Sequence, residues 1–393
     1  MKYNFDEIID REGFHAAKYD ERKKKFGRED VIPLWIADMD FKTAKPVIDA
    51  MVKRAEHGIF GYVSKPDSYK IAATSFQKRR HGWDIDKEKM SFAVGIVPAI
   101  AELVREFTEP GDSILIQTPV YPEFYEVVEA WDGRNVIENE LINEDGYYRM
   151  NFEDLEKQLK TSPKLMILCN PQNPVGRVWS KEELEKLGNL CLEYNVPIIS
   201  DEIHGDMELF DNKYIPMATV SKEIQNNTIV CFSATKSFNL AGLQACFVVF
   251  PNEEWKDIFD AYWGGLDIHR NNCFSLVAME TAWNEGEEWL DGVIEYIEDN
   301  MRFVKDYIDN NIPKISLNLP ESTYLLWLDC TKLGMNPQEL EEFMVNKAGV
   351  GLNNGSNFCR GLEGFMRMNV ACPRSMLEKA LNQIKDAIDE LVE

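Results

Sequence analysis

Short apolar runs alternate with amphipathic stretches through the middle of the chain. We interpret the apolar runs as strands, at residues 92–95, 113–116, 165–169, 197–200, 228–232 and 246–250. The amphipathic stretches predict helices, at residues 46–57, 68–81, 99–107 and 180–194. The last of these begins with a capping box, in which Ser180 precedes Glu183 by three residues. Strands that alternate with helices in this order predict βαβ units and a mostly parallel sheet.

The pattern changes after about residue 285. A single long helix is predicted at residues 287–311, and short strands and helices follow it, at 323–328, 337–347, 365–370 and 374–393. We expect this α+β part to form a second, smaller domain that also takes in the N-terminus. The predicted division is a large domain of residues 48–285 and a small domain of residues 1–47 and 286–393.

The N-terminal residues give a weaker pattern. Residues 18–30 are rich in charge, and we interpret them as a solvated face or loop. In residues 31–41 apolar side chains stand beside acidic ones, which indicates a loop that lies against another part of the protein.

Composition and net charge indicate which kinds of binding partner the protein is not expected to have. The 393-residue chain is 45% hydrophobic, which suits a globular enzyme of two or three folding units. It has 67 acidic and 43 basic residues, so its formal net charge is −24. That surplus repels phosphate backbones and anionic lipids, and no apolar run is long enough to span a bilayer. We therefore expect neither nucleic-acid nor membrane partners.

The cysteines and histidines point away from disulfides and metals. The eight cysteines include no Cys-x-x-Cys pair, and the five histidines are scattered. We interpret the cysteines as reduced thiols and expect no metal site. The first residues contain no apolar signal region, so we expect a cytoplasmic protein.

Polar residues that could carry chemistry follow the predicted strands. They are Tyr121, Asn173, Asp201, His204 and Lys236. Ligands of parallel sheets bind beyond the carboxyl ends of the strands, so these side chains are candidates for one site. A lysine between two core strands is unusual, and a desolvated amine can react with a carbonyl group. Judged from the sequence around Lys236 alone, the alternative is an ordinary turn lysine whose amine lies in water.

A glycine turn offers a place for an anion. Gly95 ends a predicted strand, and the next helix begins directly after it. The first N–H groups of a helix have no partner inside it, so those near Ile96 and Val97 could bind a phosphate. Ordinary turns between strand and helix look the same, and this signal is weak by itself.

Four motifs in order resemble a known family. They are Asn173-Pro-x-Gly176, Asp201-x-x-His204, Ser233-x-x-Lys236 and the late Arg367. Together they resemble pyridoxal-5′-phosphate (PLP) enzymes of the aspartate-aminotransferase fold, class I/II, also called fold type I. The resemblance covers nearly the whole chain. It implies a large domain with a mostly parallel seven-stranded sheet and a small α+β domain.

Longer stretches are similar to the bacterial cystathionine β-lyase, or C–S lyase, branch. They are Trp35-Ile-Ala-Asp-Met-Asp-Phe41, residues 169–179, 201–206 and 234–242, and Arg367-Met-Asn-Val-Ala-Cys-Pro-Arg374. One departure from the wider aminotransferase pattern is Gln244, which stands where many aminotransferases have a phosphate-binding arginine.

The resemblance implies a role for each candidate near the PLP ring. Lys236 would bind the PLP aldehyde covalently and later take the α-proton of the substrate. Asp201 would face the pyridine nitrogen, and Tyr121 would lie over the ring. Asn173 would donate to the phenolic oxygen, with His204 close by.

The remaining implied roles concern the substrate, the phosphate and a second subunit. Arg367 would clamp the α-carboxylate of an amino-acid substrate, with help from Asn173 and the Ala37 N–H group. Ser233 and the turn at Ile96 and Val97 would hold the phosphate. Tyr62 resembles a tyrosine that reaches the phosphate of a neighbouring subunit, which implies a homodimer with shared sites.

The expected activity is therefore PLP-dependent β-elimination. The enzyme would release a thiol, pyruvate and ammonia from an S-substituted L-cysteine such as L-cystathionine or L-cystine. Two alternatives stay open at this point. One is an aminotransferase acting on an amino acid and a 2-oxo acid, and the other is a regulatory protein that binds a partner through the same scaffold.

Overall fold

A seven-stranded sheet forms the middle of the molecule. The computed structural model describes residues 3–131, 133–268 and 271–391. The strands are β1 (Met90–Ala93), β2 (Ser113–Thr118), β3 (Asn135–Glu140), β4 (Leu165–Cys169), β5 (Ile198–Asp201), β6 (Thr228–Phe232) and β7 (Cys246–Val249). Their order across the sheet is β1-β7-β6-β5-β4-β2-β3. Strand β7 runs antiparallel to both neighbours and the other pairs are parallel, so the predicted mostly parallel sheet is confirmed.

Helices cover both faces of this sheet and also occur in the two terminal parts of the chain. The α-helices are Ala17–Asp20, Arg22–Phe26, Lys45–Glu56, Asp67–His81, Ile96–Phe107, Glu123–Glu129, Phe152–Leu159, Lys181–Glu193, Lys222–Gln225, Glu253–Gly265, Cys273–Glu285, Glu287–Asn311, Pro337–Glu342 and Arg374–Asp389. A π-helical turn at Phe343–Lys347 continues the Pro337–Glu342 helix. Short 3₁₀ helices lie at Lys87–Lys89, Met217–Thr219, Ala241–Leu243, Thr331–Leu333 and Gly355–Asn357.

Alternation along each central strand explains why both faces of the sheet are covered. Along β2, Ile114 and Ile116 point into one hydrophobic cluster and Leu115 points into another. Along β4, Ile167 joins the first cluster and Met166 joins the second. Successive side chains of a strand point to opposite faces, and a parallel sheet is stable only when both faces are buried.

The two ends of the chain meet in smaller sheets. Leu325–Asp329, Phe365–Asn369 and Asn353–Asn354 form an antiparallel three-stranded sheet. Ile32–Pro33 pairs with Val350–Gly351, so the N-terminal residues join the C-terminal part. A hairpin of Ile142–Glu144 and Tyr147–Arg149 is separate from both. We propose domain boundaries near residues 47 and 285 on this basis.

The charged N-terminal segment is mostly exposed, as predicted for a solvated face, and Lys18 is its buried exception. Residues 18–30 contain two short helices, and Lys18 is 0% exposed. Its Nζ donates to Asp40 Oδ2 at 2.7 Å. A lysine can be buried when a carboxylate neutralises it, and the local sequence does not reveal that this partner lies 22 residues away.

Other properties follow from the same structure. None of the helices in the described part of the chain has the length and apolar character needed to cross a bilayer. The cysteines are free thiols, and all of them except Cys273 are buried. Within the described ranges, His, Cys, Asp and Glu side chains form no group of three suited to a metal ion.

Candidate active site

The carboxyl ends of the central strands open onto a cavity of about 190 Å³. Most of the residues predicted for the site line it. They are Ala37, Ile96, Val97, Tyr121, Asn173, Asp201, His204 and Lys236. The sheet brings them together because each follows a strand, or packs against the loops that do.

Lys236 lies in the turn that connects β6 to β7. Its Nζ donates to the Ala37 carbonyl oxygen at 2.7 Å, and the same oxygen accepts from the Tyr324 hydroxyl at 2.9 Å. Burial lowers the pKa of Lys236, and the charge of Arg367 lowers it further. The amine is therefore closer to its reactive unprotonated form at pH 7 than an exposed lysine is.

Asp201 is the last residue of β5 and is buried at the base of the cavity. Its Oδ1 accepts from the Ile203 N–H group at 3.1 Å. Burial raises the pKa of Asp201 to about 7, although that hydrogen bond and the charge of Lys236 act in the opposite direction. A buried carboxyl group of this kind is suited to a cationic partner in the cavity.

Arg367 is 4% exposed and lies on the Phe365–Asn369 strand. Its guanidinium donates to Asn173 Oδ1 at 3.0 Å, to the Trp35 carbonyl oxygen at 3.2 Å and to Asn353 Oδ1 at 3.1 Å. Its Nε–H has no partner among the described residues. Burial lowers the pKa of Arg367 to about 10, so it stays cationic at pH 7. Because all these partners are neutral oxygens, the guanidinium is suited to a carboxylate ligand.

Three other side chains complete the wall of the cavity. Burial, helped by the charges of Lys236 and Arg367, lowers the pKa of His204 to about 3. Its imidazole is therefore neutral at pH 7, and Nδ1 has no partner among the described residues. The Asn173 backbone N–H contacts Cys169 Sγ at 3.4 Å, while its side-chain oxygen accepts from Arg367. Burial raises the pKa of Tyr121, so its hydroxyl group stays protonated at pH 7.

A sequence model of the family described as "Aminotransferase class I and II" matches residues 29–384. The chain belongs to the aminotransferase class I and II family. Cystathionine beta-lyase PatB of Bacillus subtilis (strain 168) is 40% identical over 386 residues, which are 98% of this chain and all of that protein.

Solved structures agree with this membership of the class I and II family. Cystalysin from Treponema denticola, which contains a pyridoxal 5′-phosphate cofactor, is 34% identical, with a TM-score of 0.96 over 100% of both chains. A PLP-bound protein from Clostridium difficile 630, described provisionally as an aminotransferase, is 49% identical, with a TM-score of 0.96 over 98% of this chain and 100% of that one.

The start of one helix also lines the cavity. Ile96 and Val97 are the first residues of the Ile96–Phe107 helix, so their N–H groups have no partner inside it. Gln244, in the left-handed region at φ 52°, also lines the cavity. Thr235 lines it too, although it is not among the residues predicted from the sequence. Its position next to Lys236 is the sequence feature that could have predicted this.

Ser233 and Tyr62 do not line the cavity, and Arg367 lies beside it in contact with the lining residue Asn173. The Ser233 hydroxyl donates to the Ala245 carbonyl oxygen at 2.6 Å and accepts from the Thr235 N–H group at 3.1 Å. Tyr62 is 96% exposed and lies beside the exposed Ile59 and Phe60. The phosphate-binding roles of both residues stay predictions.

A buried hydrogen-bond network, which was not predicted from the sequence, contacts the turn that carries Lys236. The Ser237 hydroxyl donates to Asp206 Oδ2 at 2.7 Å, and Asp206 Oδ1 lies 2.9 Å from His81 Nε2. Glu208 Oε1 lies 3.6 Å from His81 Nδ1. Burial alone would lower the pKa of His81, but the hydrogen bond to Asp206 and the negative charges of Asp206 and Glu208 outweigh that effect and raise the pKa to about 9.

We expect His81 to make stability depend on pH in the alkaline range. Its folded-state pKa of about 9 lies above the ordinary 6.5, so protonated His81 stabilises the fold fully below about pH 6.5. That contribution, on the order of 3 kcal/mol, is lost as the pH rises through about 9. The difference in Tm between wild type and His81→Gln should therefore be large at pH 6 and shrink above about pH 9. A Tm difference that is constant with pH would contradict this assignment.

Proposed function

We propose that this protein is a PLP-dependent C–S β-lyase. It releases a thiol, pyruvate and ammonia from S-substituted L-cysteines such as L-cystathionine or L-cystine. The relative named cystathionine beta-lyase, which aligns along nearly the whole chain, supports this reaction. The observation that carries the proposal is one cavity that holds a buried carboxyl group and a lysine amine whose pKa is lowered by burial, beside a buried guanidinium whose partners are neutral.

The residues of the cavity fit PLP. Asp201, whose pKa burial raises to about 7, suits a cationic pyridine nitrogen. The N–H groups of Ile96 and Val97, which have no partner inside their helix, suit the phosphate, and the Lys236 amine suits the aldehyde. When bound, PLP supplies an aldehyde that combines with amines and a ring that stabilises negative charge at Cα.

The chain's own residues would carry out the following steps. Arg367 binds the α-carboxylate of the substrate through its planar fork and fixes the orientation of Cα. The unprotonated Nζ of Lys236 accepts the proton from Cα. The negative charge that develops at Cα expels the thiolate from Cβ. The aminoacrylate that leaves the site hydrolyses to pyruvate and ammonia.

The expected result of a direct assay is pyruvate production from L-cystathionine without any added 2-oxo acid. Pyruvate can be measured by a coupled lactate dehydrogenase assay, and the thiol by reaction with a chromogenic disulfide. The matched comparison adds a 2-oxo acid to the same reaction. Turnover that requires the 2-oxo acid, with a new amino acid as product, would instead identify an aminotransferase.

We also propose that the protein is a cytoplasmic homodimer. An exposed apolar group of Ile59, Phe60 and Tyr62 supports a protein partner at this surface. In the dimer, Tyr62 would reach the phosphate end of the other subunit's cavity. The free thiols support a reducing compartment. Sedimentation of the purified protein tests the oligomeric state, and a monomer at micromolar concentration would reject it.

A further inference from the structure

The loop of residues 35–41 touches both cationic groups of the site. The Trp35 carbonyl oxygen accepts from Arg367 at 3.2 Å, and the Ala37 carbonyl oxygen accepts from Lys236 Nζ at 2.7 Å. The backbone of this loop therefore sets the position of an acceptor for each of them. Anything that fixes the loop also fixes the direction of the Lys236 amine.

Asp38 and Asp40 of this loop pair with two cations from the N-terminal residues, and we call Arg11, Lys18, Asp38 and Asp40 the arm cluster. Arg11 contacts Asp40 Oδ1 at 2.6 Å and Asp38 Oδ2 at 2.8 Å. Lys18 contacts Asp40 Oδ2 at 2.7 Å and donates to the Asp38 carbonyl oxygen at 3.2 Å. Two cations and two carboxylates give the cluster no net charge.

Two asparagines tie the same loop to the strand and the turn that carry the functional residues. Asn239, three residues after Lys236, accepts from the Met39 N–H group at 2.9 Å and donates to the Met39 and Phe41 carbonyl oxygens. Asn369, two residues after Arg367, donates to the Ile36 carbonyl oxygen at 2.7 Å and to that of Asp38 at 2.6 Å. The loop is therefore held by Asn239 and Asn369 on one side and by Arg11 and Lys18 of the arm cluster on the other.

Several charges act on the Lys236 amine. Asp38, Glu123 and Asp201 raise its pKa, while burial and Arg367 lower it. The other titratable groups around the amine are His204, Tyr121 and Tyr324, which are neutral at pH 7. Of the three carboxylates, Asp38 is the one that the arm cluster pairs with cations.

We propose that the arm cluster is a positioning device for the Lys236 amine. It holds the Ala37 carbonyl oxygen against Nζ, and it balances the carboxylate charge beside the amine. Its members are positioning residues, because they act through the 35–41 loop. The proposal does not depend on which reaction the protein catalyses, so it can fail or hold independently of the lyase assignment.

The test uses two variants with opposite expected signs. Arg11→Met removes a positive charge and leaves the cluster with an excess of one negative charge, which should raise the pKa of Lys236. Asp38→Asn leaves an excess of one positive charge, which should lower it. Each shift should be about 0.5 to 1 pH unit, the scale of one charge near a partly buried site. Arg11 and Asp38 are about one-fifth exposed, so neither substitution empties a core position.

The measurement is the pH dependence of the rate at which acetic anhydride labels Lys236. The full chain is first freed of any bound aldehyde, and the labelled peptide is quantified by mass spectrometry. The matched control is Lys23→Met. Lys23 lies in the same N-terminal segment as Arg11 and Lys18, but it is 72% exposed and pairs with Glu29. We expect this control to leave the midpoint of the labelling curve unchanged.

The expected result is a rise for Arg11→Met and a fall for Asp38→Asn relative to wild type. Shifts of the same sign, or midpoints within the scatter of the Lys23→Met control, would overturn the proposal. If Arg11→Met does not fold, Asp38→Asn alone decides, and an unchanged or higher midpoint then rejects it.

Discussion

Lys236→Ala is expected to lower the release of pyruvate from L-cystathionine by at least about a thousandfold, the scale of losing both a covalent and a proton-transfer group. The variant loses the amine that takes the α-proton and that joins the PLP aldehyde. Its visible absorbance in the presence of PLP should therefore be that of free PLP. Pyruvate assays and absorbance spectra measure the two effects separately.

The control for this prediction is another lysine. Lys385→Ala removes an amine from the C-terminal helix, where it pairs with Asp389 at the surface, and should leave both readouts unchanged. Reduction of the wild-type protein with borohydride should fix PLP to the peptide that contains Lys236. Turnover at the wild-type rate in Lys236→Ala, or PLP fixed at another lysine, would contradict the assignment.

The surroundings of Lys236 explain why the loss of this one amine is expected to have so large an effect on activity. Its pKa is lowered by burial and by Arg367, while Ala37 supplies an acceptor that directs the amine. A reactive group needs both an unprotonated form and an orientation, and the two come from different parts of the chain. The turn after β6 supplies the amine, and the 35–41 loop supplies the acceptor.

The parts of the fold that depend on local periodicity could be predicted from the sequence. The Glu287–Asn311 helix has the predicted bounds because its apolar stripe lies within one continuous segment. Strands β4 and β6 were also predicted with their observed bounds, because they are buried on both faces and read as unbroken apolar runs.

Elements with mixed environments could not be predicted in the same way. Strand β3 lies at the edge of the sheet, and its sequence Asn-Val-Ile-Glu-Asn-Glu has too many polar residues to resemble a core strand. Its Asn139 is nevertheless buried, because its side-chain oxygen accepts from Gln117 at 3.1 Å. The Cys273–Glu285 helix packs against both Lys45–Glu56 and Asp67–His81, so its apolar residues do not form one stripe.

The site residues also differ in whether local sequence could predict them. Tyr121, Asn173, Asp201, His204 and Lys236 were found from residues alone, because each follows a strand and a parallel sheet gathers the strand ends. The role of Arg367 came only from the resemblance. Its contact with Asn173 joins residues 194 positions apart, and no local pattern carries that information. His81 and the arm cluster were missed for the same reason.

Arg367→Leu is expected to lower kcat/KM for L-cystathionine by about a hundredfold or more, the loss expected for a charge-assisted fork. The guanidinium is buried, its partners are neutral oxygens, and its pKa of about 10 keeps it charged at pH 7. Arg367→Lys keeps the charge but loses the planar fork, so we expect an intermediate loss.

A substrate without the α-carboxylate separates this role from a structural one. Wild type should favour an S-alkyl cysteine over the matching S-alkyl cysteamine, and Arg367→Leu should lose most of that preference, because only the cysteine has a carboxylate to bind. The control Arg302→Lys changes an exposed arginine that pairs with Glu298 and Asp299, and should keep the wild-type preference. If Arg367→Leu slowed both substrates by the same factor, the guanidinium would be supporting the fold of the site through Trp35 and Asn353, and the α-carboxylate would need another partner.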